Sequence, residues 1–218
     1  MFNKKIAEKI DHTILKPNCT FTDIKKLCDE AKTYGFASVC VPPYYVKEAS
    51  KQLEDTLTKV ATVIGYPMGY STTPAKVEEV KRAIGEGADE LDAVVNICAI
   101  KENNWSYVRN DIDSMTRAAH LKGKVVKIIL EIGLLTKSEI EQVCEICNEV
   151  EANYIKTSTG YNGTSVTLEE VKHLKSIINP KVKIKASGGI KTQKQATDLL
   201  KAGANRLGAS ASLEIIKL

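Results

Sequence analysis

Two stretches decide how this chain is read: Tyr154-Ile155-Lys156-Thr157-Ser158-Thr159-Gly160 and, about one βα unit later, Lys185-Ala186-Ser187-Gly188-Gly189-Ile190. Each reads as a buried strand that carries a lysine and ends in small hydroxyl residues and glycine. A charge inside an apolar strand is costly unless it is paired. Two such lysines on successive strands predict side chains that meet across a barrel interior. One of them would then be an amine of lowered pKa able to form a Schiff base.

Outward from these stretches the same unit recurs. Short β-rich runs fall at residues 10–15, 36–41, 60–64, 90–96, 125–131, 153–156, 182–187 and 206–208. Amphipathic helical segments separate them. The first is capped near Thr22, with Ile24, Leu27, Cys28 and Ala31 on one stripe. Thr73-Pro74 reads as N-cap and first helical position, Thr136 with Glu139 as a capping box, and Thr167 as a further cap. Eight βα units without a linker predict an α/β fold, a single (β/α)8 TIM barrel in which residues 1–218 form one catalytic domain. The length of 218 residues suits a fold that runs to ~250 residues with a lower end near ~200. An open doubly wound sheet is the competing architecture, but the first βα turn lacks the glycine fingerprint of a dinucleotide fold.

Composition narrows the function classes. The net charge of +4 is spread along the chain with few aromatics, which gives no nucleic-acid footprint. No apolar run approaches the ~18 residues of a membrane span. Met1-Phe2-Asn3-Lys4-Lys5-Ile6 lacks the apolar core of a signal peptide, and six scattered cysteines suit free thiols in a reducing compartment. A cytoplasmic protein with no membrane partner is expected.

Strands buried on both faces should be nearly continuous apolar runs. Asp11, Asp92, Asn96, Lys127, Glu131, Lys156 and Lys185 interrupt them. By period two, Asp92, Val94 and Asn96 share one face of strand four, and Lys127, Ile129 and Glu131 one face of strand five. Singly, a lysine near a strand end usually escapes to solvent and an aspartate there is usually a cap. Seven interruptions over five strands point instead to a shared polar site at the C-terminal mouth.

Metal chemistry is not expected. The three histidines, His12 on strand one and His120 and His173 on helices, do not converge, which also removes a serine–histidine triad. Cys144-Glu145-Ile146-Cys147 has redox or metal spacing but lies within a helix, as core thiols. Lysine chemistry remains. An amine of pKa ~10.4 is protonated at neutral pH, and reaching ~7–8 takes roughly 4 kcal/mol. A second ammonium ~6 Å away supplies roughly 3 kcal/mol at an effective dielectric of ~20, and desolvation the rest. On these grounds either lysine could be the nucleophile. Gly188-Gly189 after strand seven and Gly208-Ala209-Ser210 after strand eight stand where barrels bind phosphate, so a phosphorylated small molecule is the expected substrate class.

At this point the sequence resembles the deoxyribose-phosphate aldolase family of class I aldolases. The resemblance spans nearly the whole chain and rests on Ile10-Asp11-His12-Thr13, residues 35–41, residues 90–97, residues 127–135, Lys156-Thr157-Ser158-Thr159-Gly160 and Lys185-Ala186-Ser187-Gly188-Gly189-Ile190. It implies reversible cleavage of 2-deoxy-D-ribose 5-phosphate to acetaldehyde and D-glyceraldehyde 3-phosphate, in deoxyribonucleotide catabolism. No metal or organic cofactor takes part in the family's reaction. Lys156 matches the Schiff-base lysine, Lys185 the lysine that lowers its pKa, and Asp92 the aspartate that moves protons with Lys185 and water. Asp11, Cys40 and Lys127 match polar or reactive groups of the same mouth. Gly160, Gly188, Gly189 and Ser210 match phosphate contacts, and a homodimer is expected. Pro42, Tyr44, Cys98, Ile132 and Ala211 depart from the family pattern, where asparagine, arginine, glycine, threonine and serine are found. The chain also stops at Leu218 without the terminal tyrosine extension of some longer members, which implies slower proton exchange at the enamine.

Two other functions fit such a barrel. A transaldolase or pentose-phosphate epimerase would use the same phosphate loops, the epimerase without a covalent lysine. A barrel kept only for binding or regulation would not need the polar set at the mouth.

Overall fold

Eight parallel strands close into a barrel in the computed structural model, which describes residues 2–163 and 165–217. Met1, Thr164 and Leu218, and with Leu218 the end where the tyrosine extension is expected to be missing, lie outside the described residues. A short helix α1 (Lys4–Ala7) precedes β1 (Ile10–Thr13), α2 (Phe21–Tyr34), β2 (Ser38–Val41) and α3 (Val46–Gln52). β3 (Lys59–Ile64), α4 (Thr73–Gly85) and β4 (Glu90–Val94) follow. Next come α5 (Ile97–Lys101), α6 (Trp105–His120), β5 (Val125–Ile129) and α7 (Lys137–Glu149). β6 (Tyr154–Lys156), α8 (Leu168–Ile177), β7 (Lys183–Ser187), α9 (Gln193–Ala202), β8 (Arg206–Ala209) and α10 (Ser212–Ile216) complete the chain. Strand order is sequential, and β8 pairs back onto β1 with Asp11 opposite Gly208.

Local chemistry starts and stops the helices. Thr20 with Asp23, Thr136 with Glu139, Thr167 with Glu170 and Thr192 with Gln195 form reciprocal capping boxes that satisfy otherwise orphaned N–H groups. The first of these moves the expected Thr22 cap to Thr20. The α4 cap also shifts, to Thr72, because the Thr73 hydroxyl instead donates to buried Asp111 (2.8 Å). Asp111 in turn accepts from the fully buried Lys76 ammonium (2.7 Å), which joins α6 to α4.

Two strands end earlier than the sequence suggests. β4 stops at Val94 because Asn96 turns to cap α5, its side chain accepting from the Ala99 N–H (3.1 Å). β5 stops at Ile129, and Glu131 sits in the left-handed region (φ 54°) at the start of a single 3-10 turn.

Period-two alternation divides the protein into two interiors. Outward-facing Val39, Val41, Leu91, Ala93, Val126, Ile128, Ile155, Ile184 and Leu207 join the helices in one continuous apolar core. The inward-facing set carries the charges: Asp11, Glu90, Asp92, Lys127, Lys156 and Lys185 are all buried there, beside a smaller apolar group of Cys40, Ala61 and Val63. The hydrophobic core therefore lies between sheet and helices, and the barrel axis is left for charge.

Candidate active site

Asp92, in the middle of β4, is the hub of the barrel interior. It is fully buried, and it accepts from Lys127 through Oδ1 (2.7 Å) and from both Lys156 (2.8 Å) and Lys185 (2.7 Å) through Oδ2. Strand register makes this possible: Asp92 pairs with Lys127 across β4–β5, and Lys156 pairs with Lys185 across β6–β7. Gly208 on β8 leaves room for one of these stems. A Cβ there would stand 3.0 Å from Lys185 Cε and 3.1 Å from Ser187 Cβ.

Asp11 and Glu90 supply the other two carboxylates. Lys127 reaches Glu90 (2.7 Å) and, more loosely, Asp11 (3.7 Å). Lys185 meets Asp11 Oδ2 as a close ion pair without hydrogen-bond alignment. Arg206 donates to Asp11 Oδ1 (2.6 Å) and to Glu90 (3.2 Å). The ion-paired cluster thus holds three carboxylates (Asp11, Glu90, Asp92) and four basic groups (Lys127, Lys156, Lys185, Arg206). With its four bases protonated and its three carboxylates ionised, it would carry one uncompensated positive charge in a buried interior, which is costly.

Partner number indicates which group gives up its proton. Lys127 has three carboxylates and Lys185 two, whereas Lys156 has only Asp92 among the described residues, and shares it. The pKa directions agree. Burial lowers Lys156 below the ordinary lysine value; Asp92 opposes this, and Lys185 adds to it. For Lys127 burial is overcome by Asp92, Glu90 and Asp11, which hold it well above the ordinary value. For Lys185 burial is overcome by Asp11 and Asp92. Burial pushes Asp92 up, but Lys127, Lys156 and Lys185 hold it well below the carboxylate range. Asp11 is likewise held down, by Lys185, Lys127 and Arg206 against burial. Of the three lysines of the barrel interior, Lys156 is thus the one whose surroundings favour the neutral amine. The expectation that a second ammonium does most of the lowering is corrected: Asp92 lies between the two lysines and screens them, so desolvation leads.

Cys40 is inside the barrel but not as a reactive thiol. It packs with Ala61, Val63, Leu15 and Tyr66 as an apolar wall, and burial, then Asp92, pushes its pKa up to about 11. Glu131, expected on the Lys127 face, lies outside the ion-paired cluster. Its carboxylate accepts from the Thr159 N–H and hydroxyl and so fixes the segment after Lys156.

At the C-terminal ends of β6 and β7, Gly160 and Gly189 line a cleft of about 450 Å³ together with Ser165, Lys191 and Gln195. Gly189 has φ +69°, and a Cβ there would lie 2.1 Å from Ser165 Oγ, so no side chain fits. Gly188 lines the neighbouring cleft against α9. Ser210, exposed just after β8, is not among the residues lining either.

Four groups of the site were not singled out in the sequence. Glu90 and Arg206 open their strands, where a charge resembles a turn residue. Tyr66 and Tyr161 come from loops. The Tyr66 hydroxyl donates to Thr159 O (2.7 Å), the Tyr161 hydroxyl donates to Leu15 O (2.8 Å), and the rings meet edge to face 5.5 Å apart. Tyr66 also packs against the Cys40, Ala61 and Val63 cluster, and Lys156 is 3% exposed. The histidines stay apart: His12 contacts Glu30 and Ser212 outside the barrel, His120 Asn153, and His173 Glu141. Cys144 and Cys147 are buried on α7, where desolvation raises both thiols.

This geometry has counterparts among known proteins. Residues 5–216 match the model of the DeoC/LacD family of aldolases. The chain is 46% identical to a deoxyribose-phosphate aldolase of Thermococcus kodakarensis, covering 100% of this chain and 98% of that one. It is 44% identical to one of Caldicellulosiruptor saccharolyticus, covering 99% of each. Among solved structures, the tetrameric deoxyribose-phosphate aldolase of Aeropyrum pernix superposes with a TM-score of 0.91 at 30% identity, over 97% of this chain and 89% of that one. With both sequence and barrel matched from end to end, the chain belongs to the DeoC/LacD family of aldolases.

Proposed function

We propose that the protein reversibly cleaves 2-deoxy-D-ribose 5-phosphate to acetaldehyde and D-glyceraldehyde 3-phosphate, with Lys156 carrying the substrate as a Schiff base. The observation that carries this reading is that Lys156, alone of the three lysines inside the barrel, has one shared carboxylate partner and a lowered pKa. The relatives' names supply the substrate.

The Lys156 lone pair adds to the aldehyde carbon of the open-chain sugar to give a carbinolamine. Lys185, held as an ammonium, donates the proton with which the hydroxyl leaves as water, and an iminium forms. Removal of the C3 hydroxyl proton then breaks the C2–C3 bond, and its electron pair is taken up by the iminium as an enamine. Glyceraldehyde 3-phosphate departs. Protonation of the enamine at C2 and hydrolysis release acetaldehyde and restore the amine. Asp92, kept strongly acidic by its three cations, is the anion that passes protons between Lys185, water and substrate and that offsets the iminium charge. The iminium is its own electron sink, so the steps need no metal or organic cofactor. Backbone amides at Gly160 and Gly189, with the Lys191 ammonium, would hold the phosphate, with Gly188 beside them and Ser210 outside that cleft. Asp11 and Lys127 would keep Asp92 and Lys185 in place, with Cys40 as the apolar wall.

Residues 1–218 would act as one catalytic domain, in the cytoplasm and in deoxyribonucleotide catabolism, as a homodimer; the Aeropyrum pernix relative is a tetramer. No helix among the described residues is long and apolar enough to cross a membrane. An NADH-coupled assay of glyceraldehyde 3-phosphate release tests the activity. Turnover by the parent and none by Lys156→Met is expected. Full turnover by Lys156→Met would rule the mechanism out.

A further inference from the structure

We propose that Arg206 and Glu90, an ion pair on the floor of the barrel, set how readily Lys156 sheds its proton by controlling how three carboxylates are shared among the cluster's cations. The inference rests on the reading of Lys156 as the covalent amine. Neither residue belongs to the substrate mouth. Glu90 is the first residue of β4 and Arg206 the first of β8, at the N-terminal end of the strands, with Arg206 Cζ 5.9 Å from the Tyr154 ring centroid. They are positioning residues.

Their influence passes through shared acceptors. Arg206 donates to Asp11 Oδ1 (2.6 Å) and to both oxygens of Glu90 (3.2 and 3.4 Å). Lys127 shares Glu90 Oε2 with it (2.7 Å), and Asp11 Oδ2 is left to Lys185. Both lysines cover their shortfall from Asp92, which leaves Lys156 a third share of one carboxylate. Take away the guanidinium charge, and Asp11 and Glu90 turn fully to Lys185 and Lys127. Asp92 is then free to hold Lys156 as an ammonium. Take away the Glu90 charge instead, and Lys127 draws harder on Asp92 while Arg206 draws harder on Asp11, so Lys156 loses its counterion. The two changes act with opposite sign, and together they return the cluster to its original charge. A unit charge ~10 Å away at an effective dielectric of ~20 moves a pKa by about one unit.

The experiment is the pH dependence of acetaldehyde capture at Lys156 in the presence of cyanoborohydride, resolved by peptide mass spectrometry, for the parent, Arg206→Met, Glu90→Gln and the double variant. The midpoint is expected to rise by about one pH unit in Arg206→Met, to fall by about one unit in Glu90→Gln, and to return to the parent value in the double variant. Arg206→Lys, which keeps the charge, should keep the parent midpoint. A purely structural role predicts loss of folded protein without opposed shifts. If one single variant does not fold, the sign of the shift in the other decides. If neither folds, the double variant decides, because a midpoint away from the parent's contradicts the compensation. Midpoints that stay fixed, or that move in the same direction in both single variants, overturn the inference while leaving Lys156 as the nucleophile. Absence of capture at Lys156 in the parent overturns the covalent reading itself.

Discussion

Asp92→Asn keeps the size and hydrogen-bonding reach of the side chain and removes the one charge that three lysine Nζ atoms touch at 2.7 to 2.8 Å. Breaking a buried ion pair by neutralising one partner costs about 3–5 kcal/mol, because the other charge stays buried. The cost is held to that range here because Lys156 can release its proton, whereas Lys127 and Lys185 still have Asp11 and Glu90. The sign with pH follows from the depressed carboxyl. Its stabilisation is complete above the unfolded value of ~3.9 and is lost as pH falls through the lower folded value. The whole difference between parent and variant should therefore appear at neutral pH, and the two stabilities should converge in acid. Denaturant unfolding at several pH values measures this. Catalysis separates into two parts. Capture of acetaldehyde should persist, since the Lys156 amine is more fully neutral without Asp92. Turnover should fall by ~10²–10⁴, the usual contribution of a positioned proton-transfer group. Unchanged turnover in a folded Asp92→Asn protein would refute the role given to the carboxylate.

Lys185→Met removes a competing cation and frees Asp92 for Lys156, so the pKa of Lys156 should rise. Each unit of rise costs about tenfold in the neutral amine and hence in borohydride capture at neutral pH, measured as initial capture rate against pH. Gly189→Ala forces a Cβ into Ser165 at 2.1 Å in a left-handed backbone; KM for the phosphorylated sugar should rise while acetaldehyde capture by the amine is little changed. Iodoacetamide at neutral pH should label exposed Cys98 well before Cys40, whose buried thiol is pushed up to about 11, as followed by peptide mass spectrometry on native protein.

The barrel was readable because its strands and helices obey strong local rules. Apolar runs of strand length recur eight times, hydroxyl caps open several of the helices between them, and the capping box at Thr136 and Glu139 stands where the sequence places it. Lys127, Lys156, Lys185 and Asp92 were readable because a charge in an apolar strand is conspicuous. Glu90 and Arg206 were not, since the first residue of a strand is often a solvated turn group; only barrel closure, which brings β8 beside β1 and across from β4, buries Glu90 and half-buries Arg206 against it. Glu131 was placed on the wrong element because its backbone turns left-handed, which glutamate seldom does. Sequence could not say which lysine loses its proton, because the answer lies in counting the carboxylate partners that β1 and β4 bring to each. The same applies to Cys40, whose burial against Ala61 and Val63 decides its pKa and leaves no mark in the chain around it.

The central claim is that Lys156 is the amine that attacks, and trapping tests it most directly. Acetaldehyde and borohydride are added to the folded protein, and the modified lysine is located by peptide mapping. The account predicts a single reduced ethyl adduct on Lys156, abolished by Lys156→Met. An adduct on Lys185 or Lys127 instead, or an unmodified protein, would contradict it.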